Sequence, residues 1–279
     1  MRKKSFKAES KRLLDLMINS IYTNKDIFLR EIISNASDAV DKLHYISLTD
    51  ESVREKCSEF GIFIAVDKEN RTITVSDNGI GMNEKELEDN LGTIAKSGSL
   101  AFKREVAEGD NADGADIIGQ FGVGFYSAFM VADKVTVITK KYDSDIALKW
   151  TSEGCDGYTV EECEKDSIGT DIIMHIKDDS DEERYSQYLE QYTISELIGR
   201  YSDYIRYPIK METEKTKNVA AEGEEAKYEK VCEIETLNSM VPIWQRAKSE
   251  VSDEECAAYY KEKFMDFEDP QLTIRVNAD

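Results

Sequence analysis

Three short segments, far apart in the chain, combine glycines with oxygen-bearing side chains in a way that few folds can accommodate. They are Glu31-Ile-Ile-Ser-Asn35-Ala-Ser-Asp38, Asp77-Asn78-Gly79-Ile80-Gly81-Met82 and Gly119-Gln120-Phe121-Gly122-Val123-Gly124-Phe125. Each is weak evidence alone, because acidic helix faces, Asp-Asn-Gly turns and glycine-rich loops all occur in proteins that bind nothing. Their order and their combined chemistry carry the argument.

At ~100° per residue, positions 31, 35 and 38 of a helix fall within an arc of about 60°, so two carboxylates and an amide share one face. Phe28, Ile32, Ala36, Ala39 and Leu43 form an apolar stripe beside it, which predicts a helix over roughly 26–45 with the polar trio along the rim of its buried side. A merely solvated face would mix Lys with Glu, and residues 31–39 contain no Lys or Arg. An Asn between two acids suits a hard cation such as Mg²⁺, which prefers oxygen ligands and keeps several waters.

Residues 72–76, Thr-Ile-Thr-Val-Ser, alternate and are rich in β-branched side chains, so they read as a strand ending in Asp77-Asn78-Gly79. A hairpin turn is the plain alternative. The chain continues into a helical start at Glu84, however, and Gly81 adds a second permissive backbone position. An acid at a strand end beside close-approach glycines can accept a hydrogen bond from an exocyclic amine while backbone passes near a flat ring; such a pair would read adenine. In the third segment, glycines 119, 122 and 124 precede a predicted helix over 125–131, and backbone N–H groups freed by glycine make an anion site. A net charge of −21 would otherwise repel a triphosphate. The phosphates therefore need backbone dipoles, Mg²⁺ and a few cations, with Lys96, six residues after Asn90, the foremost candidate. There is no Gly-x-x-x-x-Gly-Lys-Ser/Thr and no Gly-x-Gly-x-x-Gly, so P-loop and dinucleotide-fold readings are not supported.

In this order the three motifs resemble the GHKL ATPase superfamily. The stretches at 6–15, 27–38, 119–128 and 237–244 narrow the resemblance to the ninety-kilodalton heat-shock chaperones, bacterial HtpG type, over about residues 6–270. That resemblance implies a Bergerat-type ATP-binding fold using ATP/ADP and Mg²⁺. It implies that Glu31 orients and activates the attacking water, that Asn35 helps hold Mg²⁺, and that Asp38 lies in the nucleotide site. Asp77 would bind the adenine amino group, helped by Thr170 through water, with Gly81 and Met82 lining the base pocket. Asn90, Lys96 and the backbone of Gly119, Gln120, Phe121, Gly122, Val123, Gly124 and Phe125 would enclose ribose and phosphates. The implied function is a stress-response chaperone that uses ATP-driven clamp closure on unfolded client proteins. Its homodimer contact would lie further toward the C-terminus, as would an Arg that reaches the γ-phosphate, so this chain is expected to bind ATP and hydrolyse it slowly. Two alternatives stand beside it. A sensor histidine kinase would need a phosphoacceptor upstream, and no His precedes His44. A nucleotide-gated interaction module that never hydrolyses is opposed by Glu31.

The residues themselves predict an α/β (α+β) two-layer sandwich, a mostly antiparallel mixed sheet with helices on one face. Helical patterning covers 7–21 and 26–45, strands 62–66 and 72–76, then strands 134–141, 146–152, 157–162 and 170–176 with short connections, and a closing helix over 195–205. Residues 83–118, punctuated by glycines, suit a lid. The expected domains are 1–211 for nucleotide binding, a charged linker over 212–230, either mobile or helical, and the start of a second domain over 231–279. Five cysteines without Cys-x-x-Cys spacing indicate neither a disulfide framework nor a zinc site. Dispersed basic residues in an acidic whole argue against nucleic acid. The absence of a ~20-residue apolar span and of a leader's apolar region predicts no membrane and a cytoplasmic location.

Overall fold

The computed structural model describes residues 24–56, 59–92, 124–154, 157–218 and 228–274. The expected helix over 7–21 and most of the proposed lid lie outside these residues. Helix α1, Ile27–Ser47, buries Phe28, Leu29, Ile32, Ile33, Ala36, Val40 and Leu43, which is the predicted stripe with one flank added and with Ala39 only half-buried. A short helix α2, Glu51–Lys56, follows. Strands β1, Ile62–Asp67, and β2, Thr72–Asp77, bury alternate residues, as the period-two pattern requires. Helix α3, Glu84–Leu91, starts at a capping box. Asn83 accepts from the Glu86 N–H and the Glu86 carboxylate accepts from the Asn83 N–H, so two otherwise unpaired donors are satisfied.

Gly124–Met130 forms a 3-10 helix rather than the α-helix expected over 125–131. Its seven residues are buried almost throughout, and the chain turns directly into β3, Ala132–Lys140, leaving no length for a second α-turn. Strands β4 (Ala147–Ser152), β5 (Tyr158–Cys163) and β6 (Gly169–Ile176) come next, then a 3-10 turn over Tyr185–Leu189 and helix α4, Gln191–Tyr201. This helix begins and ends four residues before the expected 195–205. Strands β7 (Ile209–Asn218) and β8 (Tyr228–Thr236) and helix α5 (Asp253–Phe264) complete the described chain.

All eight strands form one sheet, ordered β5-β4-β3-β6-β2-β1-β7-β8. Pairing is antiparallel except between β1 and β7, where Ile62 lies beside Ile209. One face packs under α1, the 3-10 helices and α4 in a single apolar cluster; the other carries the half-exposed alternates. The expected mixed sheet with helices on one face is therefore what the chain forms.

The linker expected over 212–230 is not one where the structure describes it. Residues 212–218 pair with 228–234 as an antiparallel hairpin that extends the sheet. Charge on an edge hairpin is tolerated because one face stays in water, and the pairs Lys230–Glu214 at 2.6 Å and Lys215–Glu235 cross between the strands. Asn238 fastens the far end. Its carbonyl accepts from the Ile209 N–H at 2.8 Å, and its amide donates to Ile205 and Tyr207 carbonyls at 2.9 and 3.0 Å. Beyond it, Trp244 packs edge-on to Tyr204 and Tyr259. Among the described residues no helix is long and apolar enough to cross a membrane.

Candidate functional site

Helix α1 presents Glu31, Asn35 and Asp38 along the rim of its buried face, as the 3.6-residue period demands. Arg30 donates to Glu31 Oε1 from Nε at 3.1 Å and from Nη2 at 2.5 Å, which fixes the direction of the carboxylate. The 3-10 helix begins against its other oxygen: a Cβ on Gly124 would stand 2.5 Å from Glu31 Oε2. A side chain there would push the Glu31 carboxylate aside, so glycine suits the close approach of the third motif to the first. Asn35 is half-buried between the two acids, and Asp38 is buried. One turn on, half-buried Lys42 has its pKa lowered by desolvation, against the opposing pull of Asp38, Glu86 and Asp77. Acids from three elements thus act electrostatically on one ammonium.

Asp77 ends β2 with only 8% of its surface exposed. Burial pushes its carboxyl up to about 7, although backbone N–H groups of Gly79 and Thr170 favour the ionised form. The Gly79 N–H donates to Oδ1 at 2.8 Å. The turn after it is wedged into the fold. A Cβ on Gly79 would meet Ala39 backbone at 2.4 Å, and the Ile80 N–H donates to the Ala39 carbonyl at 3.0 Å. Gly81 has φ +66° and would place a Cβ 2.1 Å from the Lys140 carbonyl oxygen. Asn78 plays a framework part, its Oδ1 accepting from the Gly61 N–H at 2.9 Å.

Thr170 reaches Met82 through a residue the motifs did not include. Thr139 Oγ1 accepts from the Met82 N–H at 3.0 Å and lies 3.1 Å from Thr170 Oγ1; both threonines are buried beside Asp77 and Met82 is half-buried. Asn90 Nδ2 contacts Met82 Sδ at 3.7 Å, so α3 closes the same wall. Phe125 turns its side chain into the core against Trp150, with ring centroids 5.5 Å apart, leaving its backbone as the part able to face a ligand. Lys96 and residues 119–123 lie outside the described residues. Helix α3 and the 3-10 helix are tied by Tyr126, whose hydroxyl donates to the Leu91 carbonyl at 2.9 Å. Burial raises that phenol to about 12.

Sequence reasoning missed Arg30, Lys42, Thr139, Gly169 and Lys177. Lys42 was discoverable, since it stands four residues after Asp38 on the same helical face. Thr139 announces itself as the one hydroxyl on the apolar alternation Val135, Val137, Thr139. Gly169, at φ +108°, has no space for a Cβ, which would sit 2.0 Å from the Asp77 carbonyl oxygen. Lys177 donates to the last two carbonyls of the 3-10 helix, Phe129 at 2.7 Å and Met130 at 3.2 Å, and only the folded chain reveals it.

Among the described residues no group of three or more His, Cys, Asp or Glu could hold a metal alone. This donor set nonetheless fits Mg²⁺, which is commonly held by one or two protein oxygens together with substrate phosphates and waters. Asn35 presents such an oxygen at the rim, where among the described residues no hydrogen bond occupies it.

Comparison with known proteins agrees with this geometry. Residues 22–180 match the family model described as histidine kinase-, DNA gyrase B-, and HSP90-like ATPase, and residues 187–231 match that of Hsp90 protein. The chain is 57% identical over 279 residues to chaperone protein HtpG of Bacillus subtilis (strain 168), covering 100% of this chain and 44% of that protein. It is 55% identical over 279 residues to chaperone protein HtpG of Clostridium perfringens (strain 13 / Type A), again all of this chain and 44% of that protein. For Clostridium acetobutylicum HtpG the identity is 56% over 276 residues, 99% of this chain and 43% of the relative. The chain thus spans less than half the length of these curated relatives. With the first model covering more than half of its residues and the second continuing into β8, the chain belongs to the histidine kinase-, DNA gyrase B- and HSP90-like ATPase family.

Proposed function

We propose that the chain is the ATP-binding and ATP-hydrolysing part of an HtpG-type chaperone. The observation that carries this reading is Asp77: a buried carboxylate at a strand end, beside a backbone that glycines bring within van der Waals reach of α1 and β3. Its acceptor oxygens suit the adenine amino group. The Thr139–Thr170 hydroxyl pair and Met82 form the neighbouring wall, and Gly81 lets the turn pass close to the ring. Asn35 would offer one oxygen to Mg²⁺, which when bound neutralises phosphate charge. Glu31 would orient water and take its proton, while Asp38, Asn90, Lys96 and the backbone of residues 119–125 enclose ribose and phosphates. Residues 83–118 act as the lid.

The rest of the reading concerns the fuller protein: clamp closure on unfolded clients, a homodimer, cytoplasmic residence, and a second domain that begins beyond β8 rather than at the expected residue 231, because β8 belongs to the nucleotide-binding sheet. The identity to HtpG chaperones supports it. A calorimetric titration with ATP and ADP, with and without Mg²⁺, tests the core of it. Saturable one-to-one binding with Mg²⁺-dependent ATP affinity is expected; heats that do not saturate for either nucleotide would remove the proposal. The Arg30–Glu31 pair favours a second reading, a module that binds without hydrolysing, because it engages one oxygen of the carboxylate meant for water. A single-turnover assay separates the two, since only the first predicts ADP formation from the bound complex.

A further inference from the structure

The nucleotide reading leaves the opposite face of the sheet unused, and that face carries a built cavity. Strand register sets Lys210, Phe63, Ser76 and Asp171 in one row across β7, β1, β2 and β6, about 4.8 Å from strand to strand. Over this row opens a cavity of about 290 Å³, walled by Phe60 on one side and by Lys165 and Ile168 on the other. It falls just below the ~300–1,000 Å³ range usual for ligand sites, with room for a single-ring molecule.

Its two ends differ electrically. At one, Lys165, with a side chain only 9% exposed, is paired to Asp171 at 2.5 Å, so that ammonium is already committed. At the other, Lys210 lies 3.6 Å from Glu59, whose side chain is 83% exposed. A loose, solvated pair of that kind contributes little and is readily exchanged for a better one. Between the ends stand the half-exposed ring of Phe63 and the Ser76 hydroxyl, which has no hydrogen-bond partner among the described residues.

We propose that this trough is a second ligand site, for a small aromatic carboxylate: the carboxylate on Lys210, the ring against Phe63 and Phe60, a polar edge toward Ser76. Asp77 and Asn78 themselves line the cavity, so the trough and the adenine pocket are two sides of one strand end. A negative charge placed behind Asp77 disfavours its ionised form, as Asp171 already does and Lys165 opposes. Occupancy of the trough therefore weakens nucleotide binding, and by linkage nucleotide weakens the trough ligand by the same factor. The site stands without the nucleotide reading; the coupling rests on it.

Benzoate is the probe, followed by amide chemical shifts of the isotope-labelled full chain. Saturable shifts at Phe63, Ser76 and Lys210 are expected. They should be lost in Lys210→Glu, where the introduced carboxylate itself also lowers ADP affinity, and kept in Lys210→Arg with ADP affinity unchanged. At saturating benzoate, ADP affinity should fall about fivefold, the low end of ordinary couplings. Absent shifts, or shifts equal in Lys210→Glu, overturn the site. One-for-one displacement by ADP with shifts at Asp38 and Met82 also overturns it, because benzoate then sits in the adenine pocket. Normal benzoate binding with unaltered ADP affinity overturns the coupling. Failure of ADP to bind at all leaves the benzoate result standing and counts against the nucleotide reading instead.

Discussion

Asp77 changes charge near neutral pH because its desolvation outweighs the backbone N–H groups that favour the anion. An adenine amine donates, so it requires the ionised acceptor, and nucleotide affinity is expected to fall as pH drops through about 7, approaching tenfold per unit below it. Calorimetry between pH 8 and 5.5 checks this; a flat profile would contradict it. The stability effect has the opposite sense. The folded value lies above the ordinary 3.8, so Asp77's contribution is fully present below about 3.8 and lost as pH rises through about 7, on the order of 4 kcal/mol. Glu31→Ala should bind ATP as the parent does and not turn it over, measured by titration and single-turnover hydrolysis; joint loss would make Glu31 structural. Gly81→Ala meets both a positive φ and the Lys140 carbonyl, and should destabilise by more than about 1 kcal/mol in denaturant unfolding. Glu31, Asn35 and Asp77 were legible because helical spacing and a strand-end acid are local patterns. Lys177 and Gly169 were not, since their partners lie far away in sequence and only the folded register brings them together.

At the scale of elements, the short 3-10 helix is held at both ends. Gly124 abuts Glu31, and Lys177 donates to the final carbonyls at Phe129 and Met130, where a cation also complements the helix dipole. Burial lowers the pKa of Lys177, yet it remains the donor that the two carbonyls require. Lys177→Met should cost about 1.5–3 kcal/mol, a loss of several degrees in melting temperature at roughly 2–4 °C per kcal/mol. It should also weaken ATP more than AMP, because the lost support is on the phosphate side. Equal losses for both nucleotides would reduce Lys177 to a packing role. Strands β1 to β6 were readable from alternation, with ends displaced by no more than a residue or two. The β7–β8 hairpin was not: among the described side chains of β7, Ile209, Met211 and Thr213 turn inward, and the interleaved Lys and Glu hide that period beneath a linker's composition. The parallel β1–β7 pair has no local signature, because its partners are some 150 residues apart.

For the molecule as a whole, the acidic surface sets the terms on which an anionic ligand arrives. A net charge of −21 repels nucleotide at long range. Raising ionic strength from about 0.01 to 0.15 M shortens the screening length from about 30 to 8 Å, so the association rate should rise with salt. Stopped-flow mixing measures it, and a rate that falls would mean that local cations rather than the whole-chain field govern capture. The eight-stranded sheet lets one strand end serve two faces: Asp77 inward beneath α1, Ser76 outward into the trough. All of this turns on Asp77 as the adenine acceptor. The most direct test is titration of ADP into the parent and Asp77→Asn at pH 8, with melting curves confirming that both are folded. The amide retains shape but loses the charged acceptor, so the parent should bind one equivalent and the variant should bind at least about tenfold more weakly; parental affinity in folded Asp77→Asn would contradict the account.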